Sequence, residues 1–219
     1  MKLTKYTHAC VRLEKDGKVL LVDPGIWTEP EAFEGVDGIL VTHEHPDHLD
    51  VARILPLAVP IWTNASVASV LTSASADSAS SAGVAGLADR VTVVSGGESF
   101  EAAGFSIGAF GNDHAISLPE LGVPCQNVAY LIEDAVYHPG DSWTRPNRAV
   151  HTNLVPLAAP WHTLRDAIAY IREVKAEQAI GIHDAGLSQI GLTLSTTMLT
   201  NHGQTPYTPL TPGTTTHLP

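Results

Sequence analysis

The nine residues Thr42-His43-Glu44-His45-Pro46-Asp47-His48-Leu49-Asp50 constrain this 219-residue chain more than any other stretch. They follow an apolar run, Gly38-Ile39-Leu40-Val41, which places the histidines where a buried strand ends and the backbone turns into a loop. In an extended chain residues i, i+2 and i+4 point the same way, so His43, His45 and Asp47 share one side. Pro46 can start a helix whose first turn swings His48 in beside them. Imidazole and carboxylate are the ligands that borderline divalent metals such as zinc take, and here four of them fall within six residues. A solvated polar loop has no use for that spacing. The run therefore reads as half of a two-metal site.

These residues resemble the metal motif of metallo-β-lactamase-fold hydrolases, and the resemblance extends over about residues 1–200. That family takes a further ligand from an isolated mid-chain histidine, which His114 matches in Gly111-Asn112-Asp113-His114. It takes a bridging aspartate from a Gly-Asp pair after a strand, matched by Gly140-Asp141, and a last histidine from the end of a late strand, matched by His183 after Ala179-Ile180-Gly181-Ile182. The resemblance implies a first metal held by His43, His45 and His114, a second held by Asp47, His48 and His183, and Asp141 between them. It implies an α+β fold, a four-layer αββα sandwich of two mixed sheets flanked by helices. Because ligands from His43 to His183 must converge, residues 1–203 are expected to form a single hydrolase domain, followed by an irregular Pro- and Thr-rich tail over 204–219.

The chemistry that follows is hydrolysis. Two divalent ions about 3.5 to 4 Å apart share a water and acidify it toward neutrality, so no serine or cysteine nucleophile is needed. Asp47 can orient that nucleophile and receive its proton. Zinc is the first choice for the donor set, with manganese and iron also accommodated. Residue 45 is His where oxygen-reducing diiron relatives carry Glu, and the basic helical extension of glyoxalase II-like thioesterases has no counterpart after His183. What remains resembles the compact branch that includes L-ascorbate-6-phosphate lactonase, whose early-strand histidine is matched by Thr7-His8-Ala9-Cys10. The expected substrate is a small ester, lactone or amide. A small-molecule phosphodiester is the alternative, and a non-catalytic metal-binding scaffold the third reading.

Around the ligands, His8 is expected to reach the site or to sit at a sheet edge. Asp23 is expected to orient a ligand histidine, and Asp50 to do similar work or to close a helix terminus. His138 and Trp161 are candidates for the pocket wall or the core. Arg145 and Arg148 read as solvated loop arginines, with a substrate anion as the alternative partner. The formal charge of −11, with only 12 Lys and Arg, argues against nucleic acid as a partner. The absence of an apolar leader or a run of membrane-spanning length argues against a membrane, and two isolated cysteines, Cys10 and Cys125, suit a reducing cytoplasm.

Periodicity and turn residues predict strands over 3–13, 19–23, 60–63, 91–94, 98–102, 105–110, 128–132, 135–138, 153–157 and 178–183. Helices are predicted over 51–57, from 64 to about 71, and over 162–174. The Ala- and Ser-rich stretch 73–81 reads as a surface extension of the second helix or a mobile insert.

Overall fold

A computed structural model describes residues 1–77 and 87–219. The first sheet contains β1 (Lys2–Lys5), β2 (Val11–Lys15), β3 (Lys18–Val22), β4 (Gly38–Val41), β5 (Ile61–Thr63) and β6 (Val91–Val93). The second contains β7 (Ser99–Ala102), β8 (Phe105–Phe110), β9 (Ala129–Ile132), β10 (Val136–His138), β11 (Thr152–Pro156), β12 (Gln178–Ile182) and β13 (Tyr207–Thr208). A last strand, β14 (Thr215–His217), returns to the outer edge of the first sheet beside β1. Each sheet is mixed: hairpins run antiparallel through β1–β3 and β7–β10, while β3 to β6 and β10 to β13 run parallel.

Strand alternation builds the layers. Leu20 and Val22 of β3 and Leu40 of β4 point into the core between the sheets, where they meet Phe105, Ile107, Tyr130, Ile132, Ile180 and Ile182. Their neighbours Leu21, Ile39 and Val41 point outward, against Ile54 of α1 (Val51–Ile54), Val67 and Leu71 of α2 (Ala65–Asp77) and Leu87 of α3 (Leu87–Arg90). On the far side Leu131, Tyr137, Val155 and Ala179 pack on Ala167, Tyr170 and Ile171 of α4 (Leu164–Val174) and on Leu199 of α5 (Gln189–His202). With both faces covered, β4 is apolar along its whole length, which is why it reads as an uninterrupted run. The expected αββα sandwich is what these layers form.

Local chemistry sets the turns. Asp16 and Gly17 both take left-handed backbone between β2 and β3, as do Glu133 and Asp134 between β9 and β10, the conformation a two-residue hairpin turn requires. α4 is capped by the Thr163 hydroxyl, which accepts from the Asp166 amide.

Several expectations are corrected. The strand predicted over 3–13 is broken at Tyr6–Cys10, where the Tyr6 amide donates to the Cys10 carbonyl at 2.8 Å and His8 sits at φ 69°. Pro46 opens one turn rather than a helix, and α1 begins only at Val51 behind its Asp50 cap. α2 continues past Leu71 to Asp77; the remainder of the low-complexity stretch, from residue 78 on, lies outside the described residues. α5 was not predicted, because Thr, Ser and Gly dilute its helical pattern; the Ser188 hydroxyl starts it by accepting from the Gly191 amide. The 204–219 segment is no irregular tail. It supplies one edge strand to each sheet, with every proline outside the two strands, and Leu218 is buried in the inter-sheet core.

Candidate metal centre

Parallel strands β3 and β4 end side by side, so Asp23 and Thr42 meet just beyond them. Asp23 is completely buried and accepts from the Thr42 amide and hydroxyl, both at 2.7 Å. Its Oδ2 also accepts from His48 Nδ1 at 2.7 Å. The Thr42 hydroxyl, having given its proton to Asp23, can only accept from His43 Nδ1, 3.0 Å away. One buried carboxylate thus fixes two imidazole tautomers and leaves Nε2 of both His43 and His48 as bare lone pairs.

The other imidazoles are set in the same way. His114 Nδ1 donates to the Ala115 carbonyl at 2.6 Å, and His183 Nδ1 donates to the Ala158 carbonyl. Nε2 of His45 faces Cys125 Sγ at 3.9 Å, which leaves its Nδ1 turned toward His43 Nε2 at 3.1 Å. Asp141 enters from the end of β10. Gly140 must precede it: it lies at φ +59°, and a Cβ there would come within 2.3 Å of Asn127 Oδ1 and 2.6 Å of Thr42 Oγ1. Asn127 holds the turn by accepting from the Asp141 amide at 2.9 Å and donating to the Pro139 carbonyl at 2.9 Å.

Asp141 then lies between the histidines. Its Oδ1 is 3.1 Å from His48 Nε2, and its Oδ2 is 3.1 Å from His183 Nε2, 3.4 Å from His114 Nε2 and 3.8 Å from His43 Nε2. Asp47 Oδ2 lies 3.0 Å from His8 Nε2 and 3.4 Å from His183 Nε2. The donor atoms fall into two groups, each within 4.8 Å: His43, His45, His114 and Asp141, and His8, Asp47, His48 and His183.

This donor set fits divalent metal. Nε2 of His48, His114 and His183 and Oδ1 of Asp141 are buried without a hydrogen-bond partner, although the three ring nitrogens face the Asp141 carboxylate. Lone pairs facing lone pairs at 3.1 Å are costly unless a cation lies between them. Without metal, a proton takes the cation's place. Burial opposes a charge on His48, yet the Asp141 and Asp23 carboxylates outweigh it and raise its pKa well above the usual imidazole value. Burial also opposes charge on His183, which Asp141 and Asp47 nevertheless push up to about 9. Asp47 and Asp141 are held well below the carboxylate range by the surrounding histidines in spite of their own burial. Burial lowers His43 and His45, keeping them neutral as a ligand must be.

His8, Asp23 and His183 all adopt left-handed backbone, at φ 69°, 50° and 54°, a conformation costing roughly 1–2 kcal/mol per non-glycine residue. Three such residues meeting at one centre mark strain stored where function needs it. The His183 amide donates to the His8 carbonyl at 2.9 Å, and the two ring centroids lie 3.8 Å apart at a tilt of 50°. The Ala185 amide points at His8 Nδ1 from 3.4 Å, so the ring's proton sits on Nε2, facing Asp47.

The remaining candidates separate. Trp161 is buried at the centre, with Nε1 3.4 Å from Asp141 Oδ2. His138 uses both ring nitrogens on backbone, giving a hydrogen bond to the Ala9 carbonyl and accepting one from the Gly140 amide, so it fixes two site loops instead of lining an opening. Asp50 caps α1 and pairs with Arg53, with no contact to the centre. Arg145 and Arg148 pair with Glu173 and Asp134 on the surface. Sequence reasoning missed Thr42, Asn127 and Cys125. A hydroxyl directly before the first histidine was the one available signal; Asn127 and Cys125 carried none.

Two β-sheets packed face to face, with five histidines and two aspartates gathered at their strand ends, define a metallo-β-lactamase fold with a candidate metal centre. The chain belongs to the β-lactamase superfamily, whose domain model matches residues 2–183 and so spans every one of those seven side chains. It is 34% identical over 193 residues to Protein Rv0786c of Mycobacterium tuberculosis, covering 84% of each chain. It is 30% identical over 168 residues to a UPF0173 metal-dependent hydrolase of Xanthobacter autotrophicus, covering 65% of this chain and 62% of that one. Among solved structures it resembles Igni18, a metallo hydrolase of the archaeon Ignicoccus hospitalis, with a TM-score of 0.71 at 17% identity over 98% and 97% of the two chains.

Proposed function

We propose that this protein is a dinuclear metal-dependent hydrolase acting on small esters, lactones or amides. The observation that carries the reading is the pair of four-residue donor groups meeting at Asp141, with Nε2 of His48, His114 and His183 and Oδ1 of Asp141 buried and unpartnered. Family membership supports hydrolysis as the reaction class. His43, His45 and His114 would hold one ion, Asp47, His48 and His183 the other, and Asp141 both. Imidazole-rich ligation favours zinc, with manganese and iron as alternatives. Two bound dications supply an acidified water and the Lewis acidity that polarises a carbonyl.

The chain's own groups do the rest. Asp47 has the most exposed side chain among the charged pairs of the centre, 23% against 6% or less for its partners, so it is the ligand carboxylate that substrate meets. Its contacts to His8, His48 and His183 all run through Oδ2, which leaves Oδ1 to take up the proton released on attack. His8 donates from Nε2 to Asp47 and holds that carboxylate in place. Trp161 offers its Nε1 proton to Asp141. The working unit includes the C-terminal strands, because β13 and β14 belong to the same two sheets.

No helix among the described residues is long and apolar enough to cross a membrane. Arg145 and Arg148 pair with Glu173 and Asp134 on the surface, so a phosphodiester would rely on the metals alone for cationic contacts. The test is a panel of lactone, carboxylic ester, amide and phosphodiester substrates on zinc-loaded protein. Turnover of the carbonyl substrates, lost on chelation and regained with zinc, is expected; turnover of phosphodiesters alone would overturn the substrate class.

A further inference from the structure

Nine large apolar side chains are well exposed among the described residues, and six of them sit on just two loops: Ile26, Trp27, Ile116, Leu118, Leu121 and Val123. Both loops are built onto the metal centre. The first is pinned where Gly25 lies so close to the Asp47 carbonyl that a Cβ would approach to 1.9 Å, and the Ile26 amide donates to the Pro46 carbonyl at 2.9 Å. Its Trp27 ring meets the His8 ring edge-on at 5.0 Å, and His8 in turn touches Asp47. The second loop leaves the centre at His114 and returns to it at Cys125. Its two stems are tied by the His114 amide donating to the Cys125 carbonyl at 3.2 Å, and the Ala115 amide donates to the Asp141 carbonyl at 2.8 Å. Between the stems, residues 115–124 form a flap whose large apolar side chains are 46–74% exposed. Trp27 touches His8 of one donor group, and the flap springs from His114 of the other, so each donor group adjoins one apolar loop.

Apolar side chains gathered at a catalytic mouth cost free energy unless something covers them. Charge says what that is not. The cations on the segments that flank the site are paired: Lys5 is fully buried against Asp184, Arg53 pairs with Asp50, and Arg145 and Arg148 pair with Glu173 and Asp134. None of these four side chains is left to meet a substrate anion.

We propose that the substrate is a neutral ester, lactone or amide bearing an apolar chain, which lies on Trp27 and the 115–124 flap while its carbonyl meets the metal centre. This rests on the hydrolase reading above and narrows it. The chain covers the exposed side chains, and each methylene removed from water tightens binding. Specificity then resides in the flap and the ligand chemistry in the strand ends.

The experiment uses the zinc-loaded full chain with unbranched hydroxamates, from acetohydroxamate to octanohydroxamate, as metal-binding probes that are not turned over. Binding is measured by calorimetry, beside hydrolysis of the matching p-nitrophenyl esters. Affinity and kcat/KM should both rise about two- to four-fold per added methylene. Trp27→Ser and the Leu118→Ser, Leu121→Ser double variant should each cut the octanoyl-to-acetyl ratio at least about ten-fold, while Ile190→Ser, an exposed apolar residue on α5, keeps the wild-type ratio. A length-independent series for probes that do bind would overturn the apolar-chain proposal and leave the metal centre standing. Failure of every hydroxamate to bind would overturn both. A dimer in sedimentation, or association with phosphatidylcholine vesicles, that the double variant abolishes with no change in the ratio would reassign the patch and overturn the proposal.

Discussion

At the residue scale the centre depends on side chains that never touch a ligand. Asp23 is the clearest. Replacing it with Asn keeps the shape but removes the charge that orients His48 and anchors Thr42. The variant is expected to stay folded and to bind zinc about 10- to 100-fold more weakly, as read by competition with a chelator. An unchanged affinity would show that His48 needs no orienting carboxylate. The first four candidate ligands were legible because they are near neighbours in sequence, although extended alternation does not place them: β4 ends at Val41, and Asp47 sits in the turn after it, where the His48 amide donates to the His45 carbonyl at 2.9 Å. His114, Asp141 and His183 were legible only through family resemblance, since nothing in a lone histidine says which strand will sit beside it. The roles of Thr42, Asn127 and Cys125 depend on contacts between segments distant in sequence and could not be read at all.

At the scale of elements, buried ones announced themselves and edge ones did not. β4 and β12 are covered on both faces and read as apolar runs, and the apolar spacing of α4 matched the face it packs on the second sheet. β13 and β14 are short, Thr-rich and partly exposed, so composition resembled that of a loop. The difference is energetic as well as descriptive. Leu218, 6% exposed, belongs to the inter-sheet core, and its amide donates to the Met1 carbonyl at 2.8 Å. Leu218→Ala is expected to lower stability by about 2 kcal/mol in urea unfolding. A loss under about 0.5 kcal/mol, the size of an ordinary surface change, would return the segment to the status of an appendage.

For the whole molecule, the decisive property is a negative interior that folds around histidines. Without metal, the raised pKa of His183 means that its protonated form contributes stability that is complete below about 6.5 and is lost as pH rises through about 9. The depressed Asp47 and Asp141 contribute stability that is present above about 3.8 and is lost as pH falls. Metal requires the deprotonated imidazole, so zinc must displace those protons and its advantage must grow with pH. The difference in Tm between zinc-loaded and chelated protein should therefore widen between pH 6.5 and 9, the interval set by His183; a difference independent of pH would contradict this electrostatic picture. The central claim is that seven side chains from both halves of the chain hold two ions joined by Asp141. Its most direct test is the metal content, by inductively coupled plasma mass spectrometry, of wild type and Asp141→Ala purified without added metal. About two ions per chain in wild type, falling to one or fewer in the variant, is the expected result. Equal metal content in the two proteins, or a single ion in wild type, would contradict it.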